Sequence, residues 1–239
     1  MRPEDRLIVA LDFPSATQAL ELVEHLDGSC KWFKVGLELF LAAGHGMLDE
    51  LARRGHSIFL DLKLHDIPNT VAAAVRTLSS SGVSLLTLHT SGGPEMIAAA
   101  AEAAATSPGA PRLLGVTVLT SMDQQQLAAI GIQGSAAVQV LRLSQIAKAS
   151  GLTGLVCSPE EVRLLRRELP PDWLLVTPGI RLAGAALDDQ KRIATPFSAI
   201  AGGASMLVVG RPITRAADPA AAARTILAEI GSVAPQHLS

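Results

Sequence analysis

Long apolar runs and a strong net charge are both missing from this sequence. No stretch of about 18 uninterrupted apolar residues occurs, so no helix is predicted to span a bilayer. The formal net charge is -2, which gives no overall field to attract nucleic acid or an acidic membrane. The N-terminal residues carry mixed charge and are not typical of a signal peptide. We therefore expect a cytoplasmic protein without a nucleic-acid or membrane partner.

Cysteine and histidine are too sparse to indicate a disulfide framework or a metal centre. The two cysteines, Cys30 and Cys157, lie far apart and belong to no C-x-x-C motif, so both are predicted to be buried thiols in a reducing cytosol. The six histidines are scattered, and none lies three or four positions from another. Such spacing does not favour a metal site on a helix, and no metal is expected.

Short apolar runs alternate with amphipathic segments along the whole chain. Strands are predicted at 7–13, 31–37, 57–64, 85–90, 113–120, 154–158, 173–178 and 206–210. Helices are predicted to begin near Ser15, Glu38, Pro68, Pro94, Ala136, Pro159, Pro196 and Pro219. Eight such units without a linker favour one α/β domain over residues 1–239, a closed (β/α)8 TIM barrel. An open doubly wound sheet is the alternative, although no G-x-G-x-x-G follows the first strand.

Charged side chains interrupt several of the predicted strands, near the ends where barrel enzymes place their sites. Asp12 closes the first strand and Lys34 lies in the second. In the third, alternation directs Asp61 and Lys63 into the barrel, with Cα atoms about 6.5 Å apart, and Asp66 follows in a loop. The apolar residues Leu60, Leu62 and Leu64 then face the helices. A buried ion network of purely structural value is the alternative, but burying several charges is costly.

Glycine and arginine occur together after the last two predicted strands. Gly179 and Arg181 follow the seventh strand, and Gly210 and Arg211 follow the eighth. Glycine lets backbone N–H groups approach a ligand, and arginine presents a planar fork to phosphate oxygens. Barrels often bind phosphate at this place. The pattern predicts a phosphorylated substrate, with solvated surface turns as the alternative.

The ten residues Asp61-Leu62-Lys63-Leu64-His65-Asp66-Ile67-Pro68-Asn69-Thr70 resemble the signature of the orotidine 5′-phosphate decarboxylase family. The D-x-K-x-x-D core alone occurs in a wider set of barrel enzymes, whereas the Ile-Pro-Asn-Thr continuation is more specific. The resemblance extends over essentially the whole chain, including segments 10–12, 33–36, 88–93, 118–122, 178–181, 189–192 and 210–213.

This resemblance implies a cofactor-free decarboxylation of orotidine 5′-phosphate to uridine 5′-phosphate, in which Lys63 protonates the C6 carbanion. The catalytic residues it implies are Lys63, Asp61, Lys34 and Asp66. The substrate-binding residues it implies are Asp12, Lys34, Asp61, Ile67, Thr70, Thr120, Ser121, Pro178, Arg181, Gln190, Gly210 and Arg211. It also implies a homodimer with active sites at the interface, where Asp66, Ile67 and Thr70 reach into the neighbouring subunit's site.

Two other functions remain as alternatives. The first is a magnesium-dependent 3-keto-sugar-phosphate decarboxylase or hexulose-phosphate synthase of the same superfamily. Those enzymes share D-x-K-x-x-D but place a metal-binding carboxylate where this chain has Lys34, and they lack the Ile-Pro-Asn-Thr continuation. The second is a non-catalytic phosphonucleotide-binding or scaffold protein on a barrel frame, because a fold alone does not establish an activity.

Overall fold

Eight parallel strands close into a cylinder in the computed structural model, which describes residues 1–26, 28–182 and 194–233. Numbered β1 to β8 in chain order, the strands are Leu7–Ala10, Trp32–Gly36, Ser57–Leu64, Val83–His89, Arg112–Val116, Gly154–Val156, Leu174–Thr177 and Met206–Val209. Each strand pairs with the next along the chain, and β8 pairs with β1 through Leu207 and Leu7. This closing pair confirms the predicted barrel and excludes an open sheet, which would leave two edge strands.

Helices follow the strands in the pattern that the sequence predicts. Numbered α1 to α11, those in the described ranges are Ala16–His25, Leu37–Ala43, His45–Arg53, Pro68–Leu78, Gly93–Thr106, Gln124–Ala129, Ala136–Ala149, Pro159–Glu168, Pro196–Ala201, Arg211–Thr214 and Pro219–Gly231. Capping residues and prolines determine where several of these helices begin. At α8 the backbone N–H of Ser158 donates to Glu161 Oε2 at 2.9 Å, and Pro159 occupies the first helical position, where no N–H is needed.

Two parts of the architecture differ from the prediction. Several strands are shorter than their apolar runs, since β1 ends at Ala10 and β5 ends at Val116. Beyond β5 the chain turns, and Met122 N donates to Leu119 O at 3.0 Å. Thr120 therefore lies in a loop. The loop is followed by helix α6, which a capping box between Asp123 and Gln126 begins. Helices α3, α6 and α10 are additions to the eight predicted helices. Apolar composition gives no sign of where pairing stops, so the strand ends were predicted too long.

The strands present two apolar faces. Inside the barrel, Ile8, Phe59, Leu114 and other side chains form a small cluster. Outside it, a much larger cluster packs strands against helices and includes Val9, Phe33 and Leu60, with Leu62 and Leu64 packed against it. The predicted directions of the third strand are confirmed, since its leucines face the helices while Phe59 faces inward.

Both cysteines are buried and free, as predicted. Burial raises the pKa of each thiol to about 12, with Glu161 adding to the effect at Cys157. No helix in the part of the chain that the structure describes is long and apolar enough to cross a membrane.

The outer cluster leads to a stability prediction. Phe33 is fully buried, and its ring meets His56 edge-on with ring centroids 4.7 Å apart. We expect Phe33→Ala to lower the free energy of unfolding by about 3–5 kcal/mol, because it removes buried contacts and leaves a cavity. The matched control is Phe197→Ala at an exposed position, where about 1 kcal/mol or less is expected. Urea denaturation measures both, and equal losses would contradict the assignment.

Candidate active site

A cavity of about 530 Å³ opens where the carboxyl ends of the strands meet. Ten of the predicted site residues line it, and they come from both halves of the barrel. These are Asp12, Lys34, Asp61, Lys63, Thr120, Pro178, Gly179, Arg181, Gly210 and Arg211. The chain thus brings its predicted strand-end charges and its predicted phosphate-binding residues into one space.

Four alternating charges form a continuous chain along one wall of this cavity. Lys34 Nζ lies 2.8 Å from Asp12 Oδ1 and 3.8 Å from Asp61 Oδ2. Lys63 Nζ lies 2.8 Å from Asp61 Oδ1. Lys34 is buried and Asp61 is nearly so, whereas Asp12 and part of Lys63 are open to solvent. Each ammonium therefore has a carboxylate partner, and Asp61 serves both lysines.

Gly36 makes room for this arrangement. It ends β2 and pairs in register with Asp61. A Cβ atom added at Gly36 would lie 2.9 Å from Lys34 Nζ and 3.4 Å from Asp12 Oδ1, so the ammonium would have to move. The absence of a side chain at this position keeps the Asp12–Lys34 contact possible.

Lys63 owes its position to an irregular backbone. Its φ is 52°, and among the described residues it is the only non-glycine in the left-handed region. The pairing of β3 with β4 is interrupted between Leu60 and Leu64. Strain of this kind is typical of functional sites, where the surrounding structure must hold it in place.

Thr87 on β4 supports this irregular segment and is not among the predicted site residues. Its buried hydroxyl accepts a hydrogen bond from Lys63 N at 2.9 Å and donates one to Asp61 Oδ1 at 2.9 Å. Alternation along β4 would place Thr87 on the same face as Leu85 and His89. A polar residue on the inward face of a buried strand was the available signal.

Electrostatics favour an ionised Asp61. Burial alone would raise the pKa of this carboxyl, but the ammonium groups of Lys34 and Lys63 and the hydrogen bonds from Lys63 and Thr87 hold it below its ordinary value. His89 lies nearby, with its ring centroid 5.6 Å from that of His65. Burial lowers the pKa of His89, and the neighbouring His65 and Lys63 lower it further.

Arginine and glycine line the opposite side of the cavity, after β7 and β8. Gly179 has a φ of 81°, in the region that favours glycine. Arg181 is buried, and its Nη1 donates to Ile180 O at 2.9 Å. Arg211 begins α10 directly after Gly210. Gln190, the remaining residue predicted to bind phosphate, lies outside the described residues.

Four other predicted site residues do not line the cavity. Asp66, Ile67 and Thr70 are exposed around the start of α4, and Asp66 Oδ1 accepts from Ile67 N at 2.6 Å. Ile67 is 66% exposed although it is apolar. Within the described ranges, no ion pair joins Asp66 to Lys63 in the same chain. Ser121 is also exposed, next to Thr120.

Three further charged or hydroxyl-bearing residues line the cavity outside the predicted site: Glu38, Thr214 and Arg215. Glu38 lies in the first turn of α2, while Thr214 and Arg215 end the short helix α10. No sequence motif includes these three residues. The one sequence feature that points to them is their position just after β2 and β8.

Comparison with known proteins decides the family. The family model described as "Orotidine 5'-phosphate decarboxylase / HUMPS family" matches residues 5–226. The chain belongs to this family. An orotidine 5′-phosphate decarboxylase from Nitrosococcus oceani is 51% identical over 230 residues, covering 96% of this chain and 99% of that one. One from Halorhodospira halophila is 52% identical over 227 residues, covering 95% and 96%.

A solved structure agrees with the family assignment. The crystal structure of orotidine 5′-phosphate decarboxylase from Lactobacillus acidophilus superposes with a TM-score of 0.85 at 41% sequence identity. The match covers 95% of this chain and 99% of that one. The family resemblance and the barrel fold that the sequence predicts are therefore both confirmed.

The charge array leads to a prediction about Asp61. Lys34→Met removes the ammonium 3.8 Å from Asp61 Oδ2, so we expect the pKa of Asp61 to rise. A carboxyl with a lowered pKa stabilises the folded state above its unfolded pKa of about 3.9, and this contribution disappears as pH falls through the folded pKa. In Lys34→Met the folded pKa lies closer to the unfolded one, so this contribution should be smaller and its loss should be complete at higher pH. Carboxyl ¹³C NMR titration measures the shift directly.

The matched control is Lys31→Met. Lys31 also pairs with an aspartate, Asp5, with Nζ to Oδ1 at 2.9 Å, but it lies outside the array. It should leave the titration of Asp61 unchanged. An Asp61 titration that is the same in Lys34→Met as in the unmodified protein would contradict the array.

Proposed function

We propose that this chain decarboxylates orotidine 5′-phosphate to uridine 5′-phosphate. The observation that carries the proposal is the Asp12–Lys34–Asp61–Lys63 array, which lines the cavity of a chain about half identical to decarboxylases of that name. Because the substrate is an intermediate of pyrimidine nucleotide synthesis, we propose that the enzyme acts in the cytoplasm.

The two sides of the cavity suit the two ends of this substrate. Asp12 and Lys34 can hold ribose hydroxyls, since a carboxylate accepts and an ammonium donates hydrogen bonds. Thr120 and Pro178, which line the cavity, border the pyrimidine ring. The 5′-phosphate is bound by Arg181, Gln190, Gly210 and Arg211, of which the arginines supply planar forks that match phosphate oxygens. The substrate then spans the cavity with C6 of the pyrimidine near Lys63.

The chemistry requires stabilisation of a carbanion that has no conjugated electron sink. When the bond from C6 to the carboxylate breaks, its electron pair stays on C6 and CO2 leaves. The Lys63 ammonium stabilises that charge electrostatically and transfers a proton to C6, which forms the C6–H bond and leaves a neutral amine that solvent reprotonates. Groups that are already oriented before the reaction stabilise such charge without further reorganisation.

Asp61 has two effects in this scheme. Its carboxylate accepts from Lys63 Nζ at 2.8 Å and so fixes the ammonium in place. The same negative charge lies near the substrate carboxylate, and the repulsion between them is relieved when CO2 departs. Phosphate binding on the far side of the cavity supplies the binding energy that offsets this repulsion.

The arrangement of Lys34 disfavours the sugar-phosphate alternative. Its ammonium lies within 4 Å of both Asp12 and Asp61. A divalent cation bound by these carboxylates would be repelled by an ammonium at that distance. The position of Lys34 between two acids instead suits a neutral polar group of the substrate, such as a ribose hydroxyl.

A second copy of the chain would complete the site. Asp66, Ile67 and Thr70 are exposed and close to the array in sequence, yet they do not line the cavity of their own chain. We propose a homodimer in which Asp66 of the partner subunit enters the cavity and faces Lys63. The exposed apolar side chain of Ile67 would be buried in that interface.

The activity and the role of Lys63 can be tested together. We expect the purified protein to consume orotidine 5′-phosphate in the presence of EDTA, followed by the loss of pyrimidine absorbance. Lys63→Ala should reduce turnover by at least about 10³-fold, because both proton transfer and charge stabilisation are lost. Lys148→Ala, at an exposed position on α7, is the matched control and should stay near the unmodified rate. Near-normal turnover by Lys63→Ala would refute the role.

The shared site can be tested with mixed dimers. Lys63→Ala and Asp66→Ala subunits are each expected to be nearly inactive as homodimers. In a hybrid, one site carries both substitutions and the other carries neither, so equal mixing should restore about a quarter of the unmodified activity. Differently tagged subunits would verify that hybrids form. Hybrids without recovered activity would show that Asp66 does not act across an interface.

A further inference from the structure

Thr87 lies at the point where the backbone and the charges of the site meet. It is in the middle of β4, its side chain is fully buried, and it does not line the cavity. None of the roles proposed above requires it to contact substrate. Its hydroxyl nevertheless contacts both Asp61 and the backbone of Lys63.

These contacts form a closed ring of hydrogen bonds. The backbone N–H of Lys63 donates to Thr87 Oγ1 at 2.9 Å, and the hydroxyl donates to Asp61 Oδ1 at 2.9 Å. Asp61 Oδ1 also accepts from Lys63 Nζ at 2.8 Å. A hydroxyl can accept and donate at the same time. Thr87 and Asp61 therefore hold both the backbone amide and the side-chain ammonium of Lys63.

The ring coincides with the irregular part of β3. Pairing with β4 is interrupted between Leu60 and Leu64, and Lys63 has its φ of 52° within this interval. A lysine in the left-handed region is strained. Where pairing with β4 is interrupted, the Thr87 hydroxyl accepts the hydrogen bond from the Lys63 N–H. This side chain therefore does what a backbone carbonyl does in a regular sheet.

We infer that Thr87 is a positioning residue for the decarboxylation proposed above, holding the left-handed backbone of Lys63 and the carboxylate of Asp61 so that the Lys63 ammonium points into the cavity. It acts through these two residues and does not touch the substrate. The inference rests on the proposed function for its kinetic consequence, but its structural part stands on the hydrogen bonds alone.

Thr90 offers a matched control. Its side chain is also fully buried, and its hydroxyl donates to a backbone carbonyl, Val116 O, at 2.7 Å. Thr90→Val and Thr87→Val therefore remove the same group from equally buried positions. Only Thr87→Val removes contacts to Lys63 and Asp61, so the pair separates positioning from general stability.

The first measurement is steady-state kinetics with orotidine 5′-phosphate. We expect Thr87→Val to lower kcat by about 10- to 100-fold with little change in KM, because a lost hydrogen bond to a charged group displaces the reacting ammonium rather than the bound substrate. Thr87→Ser keeps the hydroxyl and should recover kcat to within about threefold of the unmodified protein. Equal kcat values for Thr87→Val and Thr90→Val would overturn the inference, as would a Thr87→Ser variant as slow as Thr87→Val.

The second measurement does not depend on activity. Hydrogen exchange read by NMR reports whether the Lys63 N–H has a buried acceptor. We expect this amide to be protected in the unmodified protein, in Thr87→Ser and in Thr90→Val, and to exchange much faster in Thr87→Val. If orotidine 5′-phosphate is not the substrate, the kinetics fail in every variant while this exchange pattern still holds, so the two failures are distinguishable.

If Thr87→Val does not fold, the unmodified protein alone still tests the inference. A Lys63 amide that exchanges as fast as exposed amides in the unmodified protein would show that Thr87 does not hold it. A Thr87→Ser variant that folds, protects this amide and retains kcat supports the role of the hydroxyl.

Discussion

The carboxylate of Asp61 is where the charges of the cavity meet, and the geometry of the site depends on it. One of its oxygens accepts from the Lys63 ammonium and the Thr87 hydroxyl, and the other faces Lys34. Leaving such a carboxylate buried without partners would be strongly unfavourable. Its partners come from β2, β3 and β4, which are neighbours in the closed sheet. The pairing of these strands in the barrel therefore brings together the groups that compensate the charge of Asp61.

Much of this site follows from the sequence by simple strand geometry. Alternation places Asp61 on the inward face of its strand, and the order of parallel strands places Lys34 beside it, as the structure shows. The backbone of Lys63 was not predictable in this way, since regular alternation assumes an even strand and β3 is interrupted there. Alternation marks Thr87 as a polar residue on an inward face, but its contacts depend on the register between β3 and β4, which no local pattern encodes.

The two sides of the cavity are built differently. The reacting side is carried by strands, with Lys63 held by Thr87 where pairing is interrupted, whereas the arginine side is carried by segments that follow β7 and β8. Precise positioning is easier on regular elements than on connections. The division fits a reaction in which the phosphate supplies binding energy at a distance and the strands hold the reacting groups still.

Gly36 restricts the substitutions that the site can accept during evolution. The ammonium of Lys34 occupies space that an ordinary side chain at Gly36 would fill. Replacing Lys34 by a small residue would leave a hollow and remove one of the two ammonium groups beside Asp61, while enlarging Gly36 would force the Lys34 ammonium aside. The space that Gly36 leaves open is the space that the Lys34 ammonium needs, so a change at either position limits what the other can be.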